Sequence, residues 1–374
     1  MSQEDLHARV DQIASDVVAK HAGAVDEQSA FPEASIAALR DAGLLGLVSA
    51  TAVGGQGKGL RDAALVVERL ARECGSTAMV VCMHYAATTV LENLGSESVR
   101  RDIAAGKHLT TLAFSEAGSR SQFWAPLGTA TEQGGKIALN ARKSWVTSAN
   151  RADSYVWSSK PVAGAEASTL WFVPRTTPGL RVDSGFNGLG LRGNDSCPVT
   201  AEDVRIDPAW RLGTDGQGFS LMLEMVLPWF NVMNAACSVG LMEAATSRTA
   251  AHVSKTAFEH SSSSIAELPT VRAYIARMRI KTDMSRALLL DTFAAIETQR
   301  ADAVLRVLES KAAAGDTAGE VLDLAMRVCG GAAFRKELAV ERIFRDARAA
   351  LVMAPTTDVL YDFIGKACCD MPLF

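Results

Sequence analysis

The spacing of apolar residues changes character twice along this 374-residue chain, and the order of those changes constrains the fold more than any single motif does. From the start to about Lys107 apolar residues recur at helical spacing, as in Ile36 with Leu39 and in Ala63, Val66, Val67 and Leu70. Phe31-Pro32 and the loop Gly54-Gly55-Gln56-Gly57 punctuate these helices. From Leu109 to about Leu212 short runs rich in Thr, Val, Trp and Phe alternate with glycine turns: TTLAF, KIALNAR, SYVWSSK, STLWFV, LRVDSG and PVTAEDV. After Gly213 the helical period returns in long amphipathic segments around Ala273 to Ala295 and Asp302 to Val328, with a loop at Ser261 to Ser264 before Pro269. The pattern predicts an α+β protein: helices over 1–108, an antiparallel β-domain over 109–212, and helices over 213–374.

Charge and cysteine usage exclude several classes of function. A net charge of -4 and scattered Lys and Arg offer no basic face, so nucleic acid is not an expected partner. No apolar run of bilayer length is evident, and the acidic, polar start MSQEDLHARVDQ is unlike a signal peptide; a cytoplasmic protein with no membrane partner is expected. The seven cysteines read as buried free thiols, and the six histidines show no metal-ligand spacing, so no metal is expected. Gly54 to Gly57 is too short for a dinucleotide fingerprint.

Several segments, in order, carry a resemblance to a known family. They are Phe31-Pro32 with Ala42-Gly43-Leu44-Leu45-Gly46 and Gly54-Gly55-x-Gly57; Ser115-Glu116-Ala117-Gly118-Ser119-Arg120-Ser121; Lys143-Ser144-Trp145-Val146-Thr147; and Gly190-Leu191-Arg192. The last is Arg327-Val328-Cys329-Gly330-Gly331 followed by Arg345-Asp346-Ala347. Together they resemble the acyl-CoA dehydrogenase superfamily over nearly the whole chain. The resemblance implies a barrel-like central domain, a C-terminal four-helix bundle, FAD as cofactor, and a homotetramer or homodimer in which FAD is shared between subunits. It implies that Phe114, Ser115, Trp145 and Thr147 meet the flavin ring. Ser121, Arg327, Gly330 and Gly331 would hold the diphosphate arm, and Thr356 and Asp358 would also touch the cofactor. An acyl thioester, on CoA or an acyl carrier protein, is the implied substrate, with an electron acceptor flavoprotein or a flavin reductase as redox partner.

The family's α,β-dehydrogenation needs a carboxylate beside the substrate, and both positions that usually supply it differ here. One is Ala354; the other is Phe230, or Trp229 in a shifted alignment, and the usual CoA-contact arginine becomes Asn231 or Phe230. Three explanations stand side by side. A displaced carboxylate could act, with Glu224 the first candidate and Asp358 the second; a flavin monooxygenase on this fold would need none; or the chain could bind flavin without catalysis.

Overall fold

The computed structural model describes residues 3–164, 167–183, 185, 187–261 and 263–373, so Ser184 of the LRVDSG run and Ser262 of the expected loop lie outside the described residues. Six helices open the chain: α1 (Gln3–Ile13), α2 (Ala19–Glu27), α3 (Glu33–Asp41), α4 (Leu60–Ala71), α5 (Gly75–Leu94) and α6 (Glu97–Ala104). Eight strands follow: β1 (Thr110–Ala113), β2 (Thr129–Gln133), β3 (Lys136–Val146), β4 (Ser154–Ser159), β5 (Thr169–Pro174), β6 (Leu180–Val182), β7 (Cys197–Ile206) and β8 (Arg211–Leu212). The chain then returns to helix in α7 (Gly218–Leu221), α8 (Leu227–Lys255), α9 (Pro269–Glu297), α10 (Ala303–Cys329), α11 (Val340–Ala347), α12 (Ala349–Val352) and α13 (Thr357–Cys368).

Helix α5 is buried without interruption from Gly75 to Leu91, as a helix apolar on all sides must be. It packs against α4, α8 and β1 and so joins all three parts of the chain in one apolar core. Helices α8, α9, α10 and α13 form the C-terminal bundle, with α10 against the other three. One stretch among the described residues, Gly218–Lys255, is long and apolar enough to cross a membrane, contrary to the reading of the sequence. Its apolar window is 83% buried inside the protein, which makes it a core segment.

The strands form two four-stranded sheets, β1-β4-β5-β8 and β2-β3-β7-β6, rather than a closed barrel. A second apolar cluster fills the space between them, built on Trp157, Trp171, Tyr155, Leu139 and Val199. Trp157 and Trp171 are register partners on β4 and β5. The domain is also not wholly antiparallel: β1 pairs β4 in parallel. The hairpin β2-β3 lies between them in sequence but belongs to the other sheet, and so long a connection lets β4 return in the direction of β1.

Five cysteines are buried as expected, but Cys368 and Cys369 at the end of α13 are exposed.

Candidate active site

A bulge in β3 shapes the wall of the main cavity. Its pairing with β7 slips between Lys143 and Val146, and Trp145, at the slip, takes a left-handed backbone (φ 57). Bulges re-aim side chains beside functional sites, and Trp145 stands 66% exposed while the flanking Lys143 and Val146 are buried.

Trp145 lines a cavity of about 700 Å³ between the end of β1, the bulge, the segment Gly188 to Leu191, the start of α8, and α12 with the turn after it. Phe114, Ser115, Ser121, Thr147 and Ala354 line it too, so six of the positions singled out in the sequence converge on one wall. Thr147 Oγ1 lies 3.4 Å from Ser196 Oγ, another lining hydroxyl. Ser121 Oγ accepts the backbone N–H of Thr356 at 2.9 Å, which ties Ser121 to the start of α13. Phe230 and Ala354, the two altered positions, both face the cavity and leave that end apolar.

Other expected residues lie elsewhere. Glu224 sits exposed on a π-helical turn, Met222–Val226, and is absent from the cavity lining. Asp358 is exposed on the first turn of α13, also outside the lining. Arg327 lines a separate groove with Arg277, Glu320 and Phe334, and its Nη1 reaches the Tyr274 hydroxyl at 3.4 Å. Gly330 and Gly331 border open space: among the described residues, apart from the chain neighbours, no atom lies within 4 Å of a side chain added at either.

The carboxylate on the described cavity wall is Glu116, and it is fully engaged. Its Oε1 accepts Lys143 Nζ at 2.6 Å, while Oε2 accepts the N–H groups of Leu127 and Gly128 at 2.7 and 2.9 Å. Lys143 also donates to the Ser158 carbonyl and hydroxyl. Burial pushes the Lys143 amine down to about 8, with the Glu116 carboxylate pulling it back up. The pair fixes the loop carrying Arg120, Ser121 and Phe123 to β3; it is structural support for the wall.

One residue escaped notice in the sequence. Lys311 of α10 is fully buried behind the cavity and donates to the carbonyls of Pro355 at 2.7 Å, Met353 at 3.0 Å and Ala350 at 3.2 Å. Its Nζ also lies 6.0 Å from the centre of the Phe230 ring. Burial drives this amine down to about 7. Lys311 therefore holds the turn that carries Ala354. Its position among Val307, Leu308, Ala312, Ala314 and Gly315, all on buried spacing, was the available signal.

Sequence profiles match the chain in three consecutive stretches. These are the acyl-CoA dehydrogenase N-terminal domain at residues 1–106, the middle domain at 111–204 and the C-terminal domain at 216–369. A cyclohex-1-ene-1-carbonyl-CoA dehydrogenase of Geobacter metallireducens is 28% identical, over 96% of this chain and 95% of its own. Among solved structures, the prolyl acyl carrier protein oxidase AnaB superposes with a TM-score of 0.90 at 20% identity, over 98% of both chains. The FAD complex of PigA superposes at 0.89 and 21% identity, over 99% of this chain and 98% of that one. With the three domains matched in order, the chain belongs to the acyl-CoA dehydrogenase superfamily of oxidoreductases.

Proposed function

We propose that this protein is an FAD-dependent oxidoreductase acting on an acyl thioester, with a carrier-protein thioester a rival to CoA because the usual CoA-contact arginine is missing. The observation that carries the reading is the convergence of Phe114, Ser115, Trp145 and Thr147 on one mostly apolar cavity with the turn of Ala354. FAD suits this wall: a two-thirds exposed indole offers a face for a flat ring, and the Thr147 and Ser115 hydroxyls offer hydrogen bonds to its polar edge. When bound, FAD supplies the acceptor for the hydride removed from the acyl group. Trp145, Phe114 and Thr147 would orient the ring, Ser121 and Thr356 would hold its phosphate arm, and Phe230 and Ala354 would exclude water from the acyl end.

The groove of Arg327 and Phe334, the open space at Gly330-Gly331, and a Phe334 that is 77% exposed support a homo-oligomer in which a neighbouring subunit's cofactor reaches this loop. The apolar residues Ile280, Met284 and Leu290 on the outer side of α9 offer surface for the same association. An electron acceptor flavoprotein would complete the dehydrogenation cycle.

A second reading has its own support. With both oxygens of Glu116 spent and no other carboxylate on the described cavity wall, oxygen transfer by reduced flavin from a reductase, which needs no such base, suits the same site. Mass spectrometry of the product formed from an acyl thioester in air separates the two. Loss of two hydrogen atoms supports dehydrogenation; gain of an oxygen atom derived from labelled dioxygen supports the second reading and overturns the first.

A further inference from the structure

Residues 188–191 line the cavity without regular structure of their own and are held from behind by α11. Arg345 Nη1 donates to the Leu189 carbonyl at 3.0 Å, and Asp346 Oδ1 accepts the Leu191 N–H at 2.6 Å. A side chain added at Gly190 would place its first carbon 2.3 Å from the Arg345 carbonyl oxygen, so the segment and the helix touch backbone to backbone. Leu191 takes a left-handed backbone (φ 51) that L side chains seldom occupy. Such a conformation persists only where the surroundings enforce it, and the Asp346 bond acts directly on that residue.

Asp346 is an unusual group to find there. It is buried, and the two arginines of its own helix turn elsewhere: Arg342 donates to the Glu73 carbonyl at 3.0 Å, and Arg345 pairs with Asp26 and Glu341. From α2 the carboxylate faces Asp26, a like charge; from the residue before α5 it faces the Cys74 thiol, and from α8 the Cys237 thiol. Burial pushes both thiols up, Cys237 to about 12, so they stay protonated. Oδ2 lies at the start of α5, where the helix dipole favours an anion: a side chain added at Gly75, its first residue, would begin 2.8 Å away. Burial pushes the Asp346 carboxyl up to about 6, against the pull of the Leu191 N–H and of Arg342.

We propose that Asp346 is a positioning residue for the cavity: its buried carboxylate, through the Leu191 N–H, latches the wall segment 188–191 to α11, and the ionised form is the one that holds it. A hydrogen bond to a charged acceptor is stronger than one to a neutral acceptor, so the latch loosens when the carboxylate takes up a proton.

Hydrogen exchange read by mass spectrometry tests the latch without any ligand. Corrected for the intrinsic rate, exchange at Leu191 should be slow at about pH 7.5 and rise about fivefold or more as pH falls through about 6, while exchange in α10 stays constant. Asp346→Asn, which keeps the shape and an acceptor but not the charge, should exchange at the faster rate throughout. The raised carboxyl contributes stability below the ordinary aspartate range that is lost as pH rises through about 6, so Asp346→Asn should not lower the urea midpoint at pH 7, as loss of a merely structural bond would. Protection at Leu191 that is flat across this pH range, or the same in Asp346→Asn, overturns the proposal; if the variant does not fold, the wild-type series decides alone. The consequence for ligands rests on the function proposed above: KM for a thioester substrate should rise below about pH 6 in the wild type and stand high and pH-independent in Asp346→Asn, with kcat less affected. A protein that shows the exchange step but turns over no thioester keeps the latch and loses that function. A KM that ignores both pH and the variant while the step is present removes Asp346 as a positioning residue.

Discussion

Replacing Lys143 by Met isolates the pair that holds the cavity wall. The ammonium is fully buried and donates at 2.6, 2.7 and 2.9 Å, and the Glu116 side chain is 4% exposed. Removing one partner of such a pair leaves a buried charge and costs about 3–5 kcal/mol. Urea unfolding of wild type, Lys143→Met, Glu116→Gln and the double variant at pH 7 measures each loss. The double variant should recover part of the loss, since the uncharged side-chain carbonyl left by Glu116→Gln can still accept from the Leu127 and Gly128 N–H groups. A Lys143→Met loss under about 1 kcal/mol, or a double variant no more stable than Lys143→Met, refutes the reasoning.

Other expectations follow from the same structure. Ala354→Glu returns a carboxylate to the cavity wall and should raise thioester dehydrogenation by about 10²–10⁴-fold if the geometry permits proton transfer; steady-state kinetics reads it, and an unchanged rate argues that a missing base does not limit the reaction. Lys311→Met removes the three carbonyl contacts behind Ala354 and should raise KM more than it lowers the urea midpoint; a variant with wild-type KM removes Lys311 as a positioning residue. At Asp215, burial pushes the carboxyl up, but the Thr169 hydroxyl and the N–H groups of Ala163, Val162 and Gly164 outweigh it and hold it at about 2. Its contribution is therefore present above the ordinary aspartate range and lost as pH falls towards 2. Asp215→Asn should lower the urea midpoint at pH 7 far more than at about pH 2.5, and equal shifts at both would contradict the assignment.

The parts of the site that were legible in the sequence sit in short local motifs. Phe114 and Ser115 end a strand and Trp145 and Thr147 straddle a bulge, and the resemblance of these motifs to the family implied a shared site, with which their common place on one cavity wall agrees. What depended on distant pairing was not legible. The parallel partnership of β1 with β4 joins residues 44 apart in sequence, as in Thr110 with Ser154, and no local pattern signals it. Strand β2, Thr129–Gln133, buries Ala130 alone, so its sequence lacks the apolar alternation of a strand. Glu224 lies within two turns of Phe230 in sequence, but the π-helical turn Met222–Val226 breaks the 3.6-residue phase between them, and the carboxylate is exposed. Lys311 lies on the buried spacing of α10, but nothing local announces the three carbonyls that receive its ammonium.

The central claim is tested most directly by mixing FAD-loaded protein, without oxygen, with a panel of acyl-CoA and acyl-carrier thioesters and following the absorbance of the oxidised flavin. The account predicts bleaching by at least one member of the panel, slowed when Trp145 is replaced by Ala. A flavin that stays oxidised with every thioester, yet reoxidises rapidly in air after chemical reduction, would contradict it.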